Sequence, residues 1–189
     1  MNLPFAAAGL IAAGVLAAPA AFAEPTAKTL VAQEAAKAET AQTPTETYEI
    51  VGKEGKKIGE VALAASPHGV LIDIVVERGS LPPGKRGLHL HEKADCSDVG
   101  EYKKAGSHAG HGEGKHGLLN PNGPEPGDLP NLIVLSDGSA QAALFTGLIK
   151  LDQLKDADGG ALIIHAEKDD HMSQPIGNAG ARIACAAIK

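Results

Sequence analysis

From residue 48 onward, apolar and polar side chains recur in short runs with a period near two, and Gly, Pro or Asp breaks each run after a few residues. The apolar members are rich in β-branched types. This combination predicts strands, because alternation sends apolar side chains to one face of a pleated chain. Eight segments carry the pattern: 48–51, 57–64, 69–77, 88–91, 132–135, 139–144, 161–166 and 182–188. No segment holds the 3.6-residue apolar period long enough to predict a long helix. In 60–63 and 71–76 the alternation is mixed, so the pattern defines those strands better than their ends. An antiparallel sandwich or flattened barrel follows.

Two gaps in the strand pattern are long for a compact domain, 92–131 and 167–181. Long loops on a rigid β scaffold are where function concentrates. Ahead of the strands, residues 3–23 are uncharged, apolar and interrupted by Gly9, Gly14 and Pro19, and they end in Ala21-Phe22-Ala23. These features predict a secretory leader over 1–23, cleaved before Glu24, and not a membrane anchor. No Cys lies near the cleavage point, which excludes lipid attachment there. Residues 24–46 are Ala, Thr, Glu, Lys, Gln and Pro with almost no large apolar side chain, too little to offset ordering entropy. They predict a flexible linker, with a short amphipathic helix over 31–41 as the alternative, and the folded domain spans 47–189.

Charge narrows the partners. The chain carries 17 Lys+Arg against 23 Asp+Glu, and no Trp, which argues against nucleic acid because that needs a basic surface and, for single strands, aromatic platforms. Once the leader is removed, nothing predicts stable membrane insertion. The 8 His, by contrast, call for metal chemistry to be weighed. His89 and His91 flank Leu90 in a strand, so both rings lie on one face at a separation that suits one ion, or equally they form the solvent side of that strand. His108 and His116 follow in a Gly-rich loop, Asp128 comes shortly after, and His165 ends an apolar strand. A single histidine in that last position reads as a satisfied core residue. Four separate segments that each end in a ligand-type side chain point instead to a metal site.

The segments GLHLHEKADC (87–96), HGLLNPNGPEPGDLPN (116–131), ALIIHAEKDD (161–170) and GNAGARIAC (177–185) together resemble the bacterial periplasmic copper,zinc superoxide dismutases, in order and spacing over nearly all of the folded part. The resemblance implies an all-β, eight-stranded antiparallel Greek-key barrel or sandwich with two long functional loops. It implies an exported, periplasmic enzyme that acts on superoxide, giving O2 and H2O2, with copper cycling between Cu(II) and Cu(I). By position, His89, His91, His108 and His165 match copper ligands, and His108 also matches the imidazolate shared with zinc and the carrier of one proton. His116 and Asp128 match zinc ligands, Asp169 the carboxylate that hydrogen-bonds a histidine of each site, and Arg182 the catalytic arginine beside copper. Cys96 and Cys185 match the family disulfide, and a homodimer is among the assemblies the family includes.

The chain departs from the pattern in places. Glu125 stands where the family has a third zinc histidine, Ala109-Gly110-His111 where Phe-Asn-Pro follows the shared histidine, and Leu88 where Phe is usual. Glu binds zinc through oxygen, so zinc at His108, His116, Glu125 and Asp128 is expected with altered affinity or not at all. His111 is a substitute ligand or a solvated loop residue. His68 lies in a turn, His171 close to Asp169 and Asp170, and Lys168 is a surface charge or a rim cation. The altered zinc loop admits an alternative function, a copper-buffering protein with little turnover.

Overall fold

The computed structural model describes residues 45–189. The expected leader, and the expected linker up to residue 44, lie outside the described residues. Nine strands form among the described residues: β1 (Thr45–Gly52), β2 (Lys57–Ser66), β3 (Gly69–Val76), β4 (Gly84–Arg86), β5 (Leu88–His91), β6 (Leu132–Val134), β7 (Ala140–Thr146), β8 (Gly160–His165) and β9 (Arg182–Ile188), with a one-turn helix α1 (Leu151–Leu154) before β8. Seven form one sheet in the order β5-β8-β9-β1-β2-β3-β7, and β4 pairs with β6. All pairings are antiparallel. The return of β9 beside β1, ahead of the β1-β2-β3 meander, gives the Greek-key order. None of the helices among the described residues is long and apolar enough to cross a membrane.

Eight of these strands match the expected segments, and β4 is the addition. Gly84-Lys85-Arg86 has no apolar residue to betray it and is a strand only because Lys85 pairs with Ile133 of β6. The mixed alternation of 71–76 also has a physical origin. Val70, Ile72, Ile74 and Val76 point into the core, yet Leu71 and Val75 are apolar on the outer face, about half exposed. The core runs from these residues through Ile50, Leu63, Leu88, Leu90, Leu162, Ile164 and Ile188. Each such side chain stabilises the fold by roughly 1.5–3 kcal/mol relative to exposure.

β5 is an edge strand, but all four of its residues are buried. Loop 92–131 folds back along it. Leu90 N donates to Gly127 O (2.8 Å) and Ala109 N donates to Leu90 O (2.8 Å), and bridges pair His91 with His108 and His89 with Asp128. The edge thereby finds its hydrogen bonds within the chain. Period two then divides β5: Leu88 and Leu90 enter the core, while His89 and His91 face the loop. The loop is held at its other end by a Cys96–Cys185 disulfide with a Cα–Cα distance of 5.9 Å. This bond packs with Tyr102, Ala105, Ala161 and Ile163, and Tyr102 Oη donates to Gly52 O at 2.6 Å.

Candidate metal centre

Strand β5, loop 92–131 and the end of β8 bring four buried imidazoles together. His89, His91, His108 and His165 each offer a ligand atom, and these atoms lie within 4.8 Å of one another. The closest ring pair, His89 and His108, has centroids 4.1 Å apart. Each ring carries one buried nitrogen with no hydrogen-bond partner: His89 Nδ1, His91 Nε2, His108 Nε2 and His165 Nε2. An unpaired buried polar atom costs about 1–3 kcal/mol. Four such atoms in one cluster amount to a site shaped for an electron-pair acceptor.

The opposite nitrogen of each ring fixes the tautomer. His91 Nδ1 lies 3.0 Å from Gly106 O and His165 Nδ1 lies 3.1 Å from Gly180 O. His89 Nε2 lies 2.8 Å from Asp169 Oδ2. A carbonyl or carboxylate oxygen can only accept, so in each ring the proton sits on that side and the lone pair on the other. Burial then keeps these three rings neutral. It pushes the His89 pKa down to about 4 against the opposing pull of Asp169, that of His165 to about 3, and that of His91 well below the ordinary value with help from Arg182. Four imidazole nitrogen donors are a set that copper accepts.

A second cluster adjoins the first through His108, whose Nδ1 lies 2.9 Å from Glu125 Oε2 and 3.5 Å from Asp128 Oδ1. His108, His116, Glu125 and Asp128 offer ligand atoms within 4.8 Å of one another, and all four residues are buried. His116 Nδ1 is 2.7 Å from Asp128 Oδ1. Burial would lower the His116 pKa, yet the carboxylates of Asp128 and Asp169 raise it to about 10. Burial likewise opposes ionisation of Asp128, and hydrogen bonds from His108, His116 and the Gly117 amide hold it ionised well below its ordinary range. The cluster is thus an anionic cradle that draws positive charge. Two imidazoles with two carboxylates form a donor set that fits zinc.

Asp169 joins the two clusters. Its Oδ2 accepts from His89 Nε2, and its Oδ1 lies 3.1 Å from His116 Nε2. Burial works against its charge, but bonds from His116, His89 and the His171 amide keep it ionised far below the usual carboxylate range. Sequence reasoning singled out His171 beside it but missed Asn131 and Gly177. Asn131 accepts at Oδ1 from Asp169 N (2.8 Å) and donates from Nδ2 to Asp169 O (2.9 Å) and His171 Nε2 (2.9 Å). His171 Nδ1 lies 3.2 Å from Asp169 Oδ2. Gly177, at φ 61, lies so close that a Cβ there would overlap the Asp169 carboxylate and come within 2.8 Å of His116 Nε2. Asn131 and Gly177 lie inside the motif segments, but nothing in their residue types marks them as contacts of Asp169.

Arg182, the first residue of β9, is half-buried and donates from Nη1 to Tyr102 O and from Nη2 to Gly106 O, both at 2.6 Å. Gly106 O is therefore shared between the guanidinium and His91. Burial lowers the Arg182 pKa. The remaining expected residues are simpler. His111 is not a member of the second cluster, and its Nδ1 lies 2.7 Å from Glu125 Oε1. His68 and Lys168 are exposed. All of the expected copper- and zinc-site residues, Glu125 included, meet in the two adjoining clusters.

The family model described as copper/zinc superoxide dismutase (SODC) matches residues 57–188. A "Superoxide dismutase [Cu-Zn]" of Caulobacter vibrioides is 43% identical over 143 residues, 72% of this chain and 80% of that protein. "Superoxide dismutase [Cu-Zn] 1" of Aquifex aeolicus is 39% identical over 147 residues, 75% of this chain and 85% of that one. Among solved structures, a SOD-like protein from Bacillus subtilis superposes with a TM-score of 0.68 at 35% identity, covering 76% of this chain and 97% of that one.

Proposed function

The chain belongs to the copper/zinc superoxide dismutase family, and from that premise we propose that it dismutates superoxide with the residues assigned below. The observation that carries this reading is the convergence of four unpartnered imidazole nitrogens on one point. His89 Nδ1, His91 Nε2, His108 Nε2 and His165 Nε2 would hold copper. His108 Nδ1, His116 Nδ1, Asp128 and Glu125 would hold zinc. Copper held there supplies a one-electron couple, so that two superoxide anions and two protons become one O2 and one H2O2 with no other reductant.

The protein's own part is positioning and proton supply. Gly106 O, Gly180 O and Asp169 fix three of the tautomers. Arg182 presents a cation whose guanidinium is already oriented by two carbonyls, suited to holding a small anion. His108 is the ring with one nitrogen in each cluster. It can hold a proton at Nε2 while Glu125 and Asp128 keep its Nδ1 side, and pass that proton to a reduced oxygen species held by Arg182. No observation favours the copper-buffering alternative. Copper- and zinc-loaded protein assayed against a flux of superoxide tests the proposal, and a rate no faster than that of free buffer would defeat it.

We also assign export, with a cleaved leader over 1–23 and a tether that starts at 24 and ends before β1; Thr45 and Glu46, expected in the linker, already pair with Ala64 and Leu63 of β2, so the catalytic domain begins at Thr45. The disulfide supports an oxidising compartment. Mass analysis of the exported protein should give an N-terminus at Glu24. With the leader gone, the chain stays out of the membrane. A homodimer is proposed through the outer face of β3 and β7, where the exposed Leu71 and Phe145 are cross-strand partners, and sedimentation equilibrium tests it.

A further inference from the structure

Two departures from the family pattern, Glu125 and His111, meet in one contact. Glu125 turns Oε2 to His108 Nδ1 at 2.9 Å and Oε1 to His111 Nδ1 at 2.7 Å. The carboxyl group is buried, whereas the His111 side chain is 56% exposed, so the pair runs from the second cluster to the surface. The same loop segment sets the position of His111, whose amide donates to His108 O at 3.1 Å. One turn of chain therefore presents His108 to one carboxylate oxygen and His111 to the other.

We propose that His111 is a positioning residue for Glu125, and that the two form a unit doing the work of a single zinc-binding histidine. The inference rests on the assignment of Glu125 to the zinc site. A histidine ligand is a rigid ring with one outward nitrogen and is aimed by a single hydrogen bond from behind. A glutamate is longer by one rotatable bond and has two equivalent oxygens, so it can swing, or turn both oxygens to the ion. The hydrogen bond from His111 holds Oε1 outward and leaves Oε2 as the single donor, which restores a one-atom ligand with a fixed direction. His111 also places a hydrogen-bond donor against the carboxylate that replaces a neutral ring, and such charge-assisted bonds are the stronger kind. The role is distinct from that of a substitute ligand, because His111 addresses Glu125 and not the cluster.

The test is a double-mutant cycle read by zinc alone, as equilibrium competition with a chromophoric chelator, together with the visible absorption of the cobalt(II)-substituted protein. With Glu125 present, His111→Ala should weaken zinc by about tenfold and change the cobalt(II) bands, since bonds that orient a ligand are typically worth about 10- to 100-fold in metal affinity. With Glu125→His, the same His111→Ala change should move affinity less than twofold, because the group it positions is gone. An equal effect in both backgrounds, or none in either, overturns the role of His111. Thermal midpoints measured without metal show whether each variant is folded. Glu125→Ala is the separate control. Zinc affinity and cobalt(II) bands unchanged in that variant would overturn the ligand assignment itself, and the His111 proposal with it.

Discussion

Arg182 does two things at once, and they separate by measurement. Its guanidinium is tied to Tyr102 O and Gly106 O, and Gly106 O also fixes the His91 tautomer. Arg182→Ala removes the cation but leaves His91 its carbonyl partner, so copper content should hold while kcat/KM falls by roughly tenfold or more and loses much of its salt dependence. An unchanged rate constant would remove Arg182 from the mechanism. Gly177 makes the opposite case, a residue without chemistry whose replacement should disable the site. A Cβ at this position meets the Asp169 carboxylate, and φ 61 is unfavourable for alanine. Gly177→Ala is expected to lower both copper and zinc retention, by metal analysis after chelator challenge, and to cost more than about 1 kcal/mol of stability. At this scale the sequence displays the histidine donors well, since His89, His91 and His165 stand out in apolar strands, whereas Asp128 and Glu125 are picked out from the other acids of loop 92–131 only by the motif around them. It hides Asn131 and Gly177, which act through contacts that only the folded chain creates.

Among the elements, loop 92–131 carries His108, His116, Glu125 and Asp128, and it is held by backbone bridges to β5 and by the Cys96–Cys185 bond to β9. Closing an 89-residue separation is worth roughly 4 to 5 kcal/mol in the chain-entropy model. The Cys96→Ala, Cys185→Ala double variant, unfolded in urea without metal, should lose stability on that order. It should also release zinc faster than it loses copper, because three of the four proposed copper-ligand nitrogens belong to strands and only one to the loop. Equal loss of both metals would mean that the disulfide braces the whole sheet and not this loop. The limits of loop 92–131 coincide with those expected from the sequence, because the strands on either side end in residues of strong pattern. β4 was illegible for the converse reason: three residues with no apolar side chain gain strand geometry from a partner 46 or more positions away. The outward Leu71 and Val75 blurred the pattern of β3 without altering it.

Over the whole molecule, the buried rings tie stability to pH in a definite direction. His89, His91 and His165 are neutral in the folded chain, with pKa values of about 4, well below ordinary, and about 3, whereas in the unfolded chain they titrate near 6.5. Above 6.5 neither state protonates them and their burial is unopposed. As the pH falls below 6.5 the unfolded chain takes up protons that the folded chain refuses, so stability declines toward pH 4 by as much as about 1.4 kcal/mol per pH unit for each proton. His116 has the reverse shift: with a folded pKa of about 10 it is protonated in both states below 6.5, so its contribution is complete there and declines progressively as the pH rises from 6.5 to about 10. Asp128 and Asp169 add a further loss below the ordinary carboxylate pKa of 3.8, where the unfolded chain protonates first. Metal-free protein should therefore show a thermal midpoint that is highest near pH 6.5, falls steeply from 6.5 to 4 as three rings protonate in the unfolded chain, and falls more gently from 6.5 toward 10 as His116 alone is linked. Replacing His165 by Gln removes one of the three protons and should flatten the acid slope by about a third. A midpoint flat from pH 4 to 6.5 would mean that the rings take up protons in the folded state as readily as in the unfolded one, so that burial does not hold them neutral.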